Sequence, residues 1–232
     1  LDWDTRVALA ESDLIALGEA QCVKVLSAKT LARKMFFGEA MCYAGDLSGQ
    51  NQGVKANYAV AANVWWPPLD KERGRLARRR QWATQQALGP LVKFEPVLGD
   101  CKRSHDVLYE SMTQSAARPV RMSFSVLVFA EDRERASRLS VQLQSAWATQ
   151  RFRLMEDRWV MLPMLVNCLP LGADAEAVAE LWRYHTLTTH ELPVLLPVMA
   201  EWKGTGTPHV ALLSRNGQLM SLSLHDGSTK RN

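Results

Sequence analysis

The 232-residue sequence lacks any apolar run long enough to cross a bilayer as a helix. Its most apolar stretch, WVMLPMLVNCLPLG at 159–172, falls short of the roughly 20 residues a span requires, and Pro163 and Pro170 interrupt it. The opening LDWDTRVALAESD has neither the basic region nor the apolar run of a secretory leader. It begins with Leu1, as expected of a piece cut from a longer chain. The four cysteines, Cys22, Cys42, Cys101 and Cys168, are far apart and form no CxxC pair, which removes a zinc ribbon and a thioredoxin-type motif. They read as buried free thiols of a reducing compartment. There is no internal repeat and no low-complexity segment. A hydrophobic content of 47% against 22% charged residues excludes the disordered classes. The net charge of +4 and pI near 9.0 permit a polyanionic partner without requiring one.

Catalytic signatures are missing as well. KGTGTP, at 203–208, is the most glycine-marked stretch, but a Walker cradle needs GxxxxGK[ST] so that successive backbone N–H groups wrap the phosphates. No Lys-Ser/Thr follows Gly204 and Gly206, Pro208 removes a donor, and His209 stands where a third glycine of GxGxxG would fall. The stretch reads as a tight turn leading into a strand. No GxSxG exists. The histidines, at 105, 185, 190, 209 and 225, show no ligand spacing, and His185 and His190 are five apart, on different faces of a helix. In FFGEAMCYAGD, Glu39 and Asp46 lie beside aromatics but read as exposed charge. The sequence therefore assigns no catalytic, cofactor-binding or metal-binding residue.

What is present is a regular alternation of elements. The first forty-odd residues read as a helical pattern, followed by a strand candidate, CVKVLS, at 22–27. VKANYAVAANVWW alternates with a period of two and predicts a long strand stopped by Pro67-Pro68. A helix is predicted over 69–87, halted by Gly89-Pro90, and a second over 104–117 with Val107, Leu108, Met112 and Ser115 on one face. VRMSFSVLVFA, 120–130, predicts a strand with Met122, Phe124, Val126 and Val128 on one side. The helix over 131–150 carries an apolar stripe of Ala136, Leu139, Leu143, Ala146 and Trp147. A short strand RFRLM, an apolar helical stretch to Leu169 and a helix over 174–184 complete the pattern. In HVALLSRNGQLMSLSL, Asn216-Gly217 predicts a two-residue hairpin turn that sets Leu213 opposite Met220 and Ala211 opposite Leu222. The fold class expected is α+β: helices layered on a mixed, mostly antiparallel sheet, with a C-terminal β-hairpin unit. The domains expected are 1–190 and 191–232.

One charged run has a functional reading. LDKERGRLARRRQWATQQA places Arg75, Arg78 and Arg79 on one helical face, with Trp82 able to stack on a base. The bland alternative is a solvated helix face, or pairing with acidic residues of a neighbouring subunit.

Three stretches carry a family resemblance: FFGEAMCYAGD; RRRQWATQQALGPLVKFEPVLG with the later DVLYESM and RPVRMSFSVLVFAED; and LPVLLPVMAEWKGTGTPHVALLSRNGQLMSLSLHDGSTKRN. Together they resemble the amino-terminal region of TraC-like conjugative transfer ATPases of type IV secretion systems, from about residue 22 onward. The resemblance implies a β unit that leads into a RecA-like motor beyond Asn232. The tail departs from it, SLHDGSTKRN being more polar and basic than the family's run. ATP and magnesium would belong to that motor, leaving this fragment without a cofactor or enzymatic activity of its own. It also implies docking to other subunits of the ATPase ring and to inner-membrane channel components, at a cytoplasmic location peripheral to the inner membrane. Nucleic acid is the alternative partner.

Overall fold

The computed structural model describes residues 5–32, 34–44, 53–89, 95, 97–115, 117–196, 204, 209–213 and 219–223. Contacts divide the chain into two units, Leu1–Pro197 and Val198–Asn232.

The larger unit is built on a sheet with the path β1-β2-β3-β5-β4, in which β6 also pairs with β3 and β7 with β5. The strands are β1 (Val7–Glu11), β2 (Leu14–Leu17), β3 (Gln21–Thr30), β4 (Asn57–Trp65), β5 (Pro119–Ala130), β6 (Arg153–Glu156) and β7 (His185–Thr188). Every pairing among them is antiparallel. The helices are α1 (Leu69–Leu88), α2 (Val97–Gln114), α3 (Arg133–Thr149), α4 (Met161–Cys168), α5 (Ala175–Glu180) and α6 (Leu192–Leu195), with a 3₁₀ turn at Glu39–Ala44. The fold is α+β.

β5 organises the core because its side chains alternate between the two faces. Val120, Met122, Phe124, Val126 and Val128 join Leu143 and Trp147 of α3 and Phe152 in one apolar cluster. Tyr43 stacks on Trp147 at 4.8 Å between ring centroids and meets Phe124 and Phe152 edge-on. On the opposite face, Leu127 of β5 joins Ile15, Val23 and Val25 against Met161, Met164 and Leu165 of α4. α3 starts at an N-cap aspartate, Asp132, whose side chain accepts from the Arg135 N–H at 2.7 Å.

Several expectations are corrected. The segment predicted as helical before Cys22 is the β1-β2 hairpin, which pairs onward with β3. Its Ala, Leu and Glu content favours a helix locally, but strand pairing overrides propensity, and Gly18 turns the chain at φ +62. α2 begins at Val97, seven positions earlier than predicted, and Val107 faces solvent while Leu108 and Met112 are buried. The helix expected over 174–184 ends at Glu180, where Trp182 takes φ +55 and the chain turns into β7. Cys22 is buried, Cys101 and Cys168 are half-buried, and all three are free thiols.

The smaller unit contains β8 (Val210–Leu213) and β9 (Leu219–Leu222). Its register is one residue away from that predicted: Leu213 opposes Leu219 and Ala211 opposes Ser221. This pairing is centred on position 216, so an odd number of residues, 214–218, separates the strands, and a two-residue turn does not fit. The predicted turn residues themselves lie outside the described residues. Of KGTGTP only Gly204 is described. It bridges Ser221 with φ +102, and a Cβ there would meet the Ser221 carbonyl oxygen at 2.2 Å.

Candidate docking surface

From Trp159 to Gly172 the sequence holds no charged residue. A helix so apolar would ordinarily be buried all round. α4 is not. Met161, Met164 and Leu165 enter the core, while Leu162 and Val166, one turn apart on the other side, are 38% and 46% exposed. Trp159 before the helix is 79% exposed, and Leu171 after it is fully exposed.

Polar contacts fix this apolar face in place. The Asp157 N–H donates to the Val25 carbonyl at 2.9 Å, and the Trp159 N–H to the Ser12 carbonyl at 2.8 Å. The buried Asp157 carboxylate accepts from the Ser27 hydroxyl and from Arg183 Nε at 2.7 Å. Burial raises the Asp157 pKa above the usual range, and these two donors hold part of that rise back. At the other end, Asn63 Nδ2 of β4 donates to the Asn167 carbonyl at 2.7 Å, and Asn167 Oδ1 accepts from the Asp174 N–H. Gly172 folds back so closely on α4 that a Cβ would stand 2.2 Å from the Val166 carbonyl oxygen. Among the described residues, four non-glycine side chains sit at positive φ: Arg151, Trp159, Leu171 and Trp182. Three of them are large and apolar, and all three are exposed. Such backbone is costly and persists where the surroundings over-determine it.

The four residues singled out on the basic helix are dispersed. Arg75 turns inward: its guanidinium donates to Glu72, to the Tyr184 hydroxyl at 2.6 Å and to Thr186 Oγ1 at 3.2 Å. Arg78 is exposed, and Trp82 is 57% exposed. Arg79 lies 5.9 Å from the Trp182 ring centroid and lines a groove of about 710 Å³ with Leu76, His105, Leu108 and His185. Burial, then the Arg79 charge, lowers the His105 pKa. Arg80, beside them, pairs with Asp106 at 2.6 Å and covers the Tyr109 ring.

Sequence reasoning missed Glu72. Glu72 is buried and accepts from both Arg75 and, at 2.6 Å, Arg121 of β5. The spacing of Glu72 and Arg75 on one helix was a readable hint. Lys24 was missed too: it is buried and paired with Asp13 at 2.8 Å and Glu156 at 3.4 Å. Among the described residues no three metal-ligating side chains converge, and no helix is long and apolar enough to cross a membrane.

A family model described as TraC protein matches residues 10–173. The chain belongs to the TraC family. It is thereby a component of conjugative transfer by type IV secretion. The TraC match opens within β1 and closes just beyond Gly172, so it takes in the whole of α4 with Trp159 and Leu171, and the basic helix α1. A search of curated proteins gives no match for this TraC-family chain.

Proposed function

We propose that this chain is the non-catalytic amino-terminal domain of a conjugative transfer ATPase. It docks to other subunits of the motor ring and to inner-membrane channel components, peripheral to that membrane, and passes movement of the motor to the channel. The observation that carries this reading is the clamped α4: an uncharged face, exposed at Trp159, Leu162, Val166 and Leu171, inside the matched region. Exposed apolar patches rimmed by polar residues mark interaction sites. Gly204 lies against the Ser221 backbone in a β bridge, which supports reading its stretch as a turn into a strand. On this reading ATP and magnesium belong to the motor.

The test is competition. Expressed in donor cells beside the intact transfer apparatus, this chain occupies docking positions and lowers transfer frequency, and Val166→Glu relieves the inhibition without unfolding the chain. Stoichiometric ATP binding or hydrolysis by the purified chain would overturn the reading. So would equal inhibition by the Val166→Glu variant.

A second reading, nucleic-acid binding, is favoured by one observation: Arg78, Trp82 and the Arg79–Trp182 pair leave cations and indole rings at the surface of α1. Titration with single-stranded DNA at two salt concentrations decides it, since each neutralised phosphate contributes a slope of about −0.7 in log affinity against log salt. A flat response removes it.

A further inference from the structure

The two edges of the large sheet are built differently. β1 has five residues, an irregularity between Leu9 and Glu11, and a charged side chain, Glu11, paired with Arg133. Short length, a bulge and charge are the usual means of blunting an exposed edge. β4, at the other end of the path, has none of them. It runs for nine residues in unbroken register with β5, from Asn57 opposite Phe129 to Trp65 opposite Arg121. Its sequence, NYAVAANVW, contains no charge, proline or glycine. Along an antiparallel strand, alternate residues direct their N–H and C=O away from the neighbour, so β4 turns a row of backbone donors and acceptors outward. Among the described residues no strand takes them up.

We infer that β4 pairs antiparallel with β4 of a second copy of this chain, about a two-fold axis near Ala61. An edge with no charge and with small side chains at Ala59, Ala61 and Ala62 suits an occupant that is itself extended, neutral and small at its centre. β4 itself meets that description. Around Ala61 the two-fold sets Val60 against Ala62 of the second copy, Ala59 against Asn63 and Asn57 against Trp65. No like charges oppose each other, and a single patch serves both copies. The sheet then continues from one copy into the next. This pairing uses the strand edge and no residue of α4, so it is independent of the docking role proposed above.

Sedimentation velocity on the full chain, over a wide concentration range, tests it. The unaltered chain forms a dimer. Ala61→Lys and Ala61→Glu each weaken that dimer by about tenfold or more, because two like charges then meet at the axis, and mixing the two variants restores it. Val166→Glu on α4 stays dimeric. A chain that is monomeric throughout overturns the inference, as does a dimer indifferent to both Ala61 changes or one lost with Val166→Glu. Should the Ala61 variants misfold, hydrogen exchange on the unaltered chain decides. Half of the β4 amides must exchange more slowly as concentration rises, and concentration-independent exchange overturns the pairing.

Discussion

Glu72 of α1 and Arg121 of β5, 49 residues apart in sequence, meet at 2.6 Å over the sheet. Arg75 reaches the same carboxylate from one turn away, and Tyr184 lies under both guanidiniums, 5.6 Å from that of Arg75 and 5.1 Å from that of Arg121. This buried group pins a helix that otherwise contributes few apolar side chains to the core, Leu76 and Ala83 being its buried ones. Removing the carboxylate leaves two cations facing each other without an anion. Glu72→Ala should therefore cost about 3 kcal/mol of stability in urea unfolding.

The same contact predicts an acid response. Burial pushes the Glu72 pKa up, but hydrogen bonds from Arg121 and Arg75 outweigh it and hold the value below 4.5. A folded value below the unfolded one means the contribution is whole above about pH 4.5 and drains as pH falls through the folded value. Asp13 behaves alike, lowered by its hydrogen bond from Lys24. Asp157 has the opposite sign, since burial raises it: its contribution is fullest below 3.8 and declines as pH rises through the folded value. The gap in urea midpoint between the native chain and Glu72→Gln should narrow as pH drops below about 4.5.

Arg75 and Arg78 should separate stability from binding. Arg75→Ala breaks the inward network and lowers the unfolding midpoint. Arg78→Ala, at an exposed position, stays within about 0.5 kcal/mol of the native chain. If polyanions bind α1, Arg78→Ala and Trp82→Ala weaken that binding in a titration.

Cys168 should resist alkylation. Burial pushes its thiol up to about 11, so near pH 8 only about one molecule in a thousand carries the thiolate. Mass spectrometry after iodoacetamide treatment of the native chain should find Cys168 unmodified, and modified once urea is added.

Gly204→Ala should disrupt the small β unit. The φ of +102 disfavours any side chain, and the new carbon would press into the Ser221 backbone. Faster hydrogen exchange across Leu219–Leu222 is the expected result.

The long strands and helices were legible because one face of each is apolar at the right period. β5 alternates, and α3 repeats Ala136, Leu139, Leu143 and Trp147 at helical spacing. α1 was bounded by Pro67-Pro68 on one side and Gly89-Pro90 on the other. The β1-β2 hairpin was hidden by residues that favour helices in isolation, its strand character coming only from pairing with β3. The contact of Glu72 with Arg121 was hidden by distance along the chain. The exposed half of α4 was hidden by its own uniformity, since an apolar run with no polar side gives no sign of which side faces out.

The clamps at both ends of α4 have a consequence for association. With Asp157 held by Ser27 and Arg183, and Asn167 held from β4, the helix has little freedom left to surrender when something binds it. In the docking role proposed above, the ordering penalty of complex formation would then fall mainly on the incoming molecule.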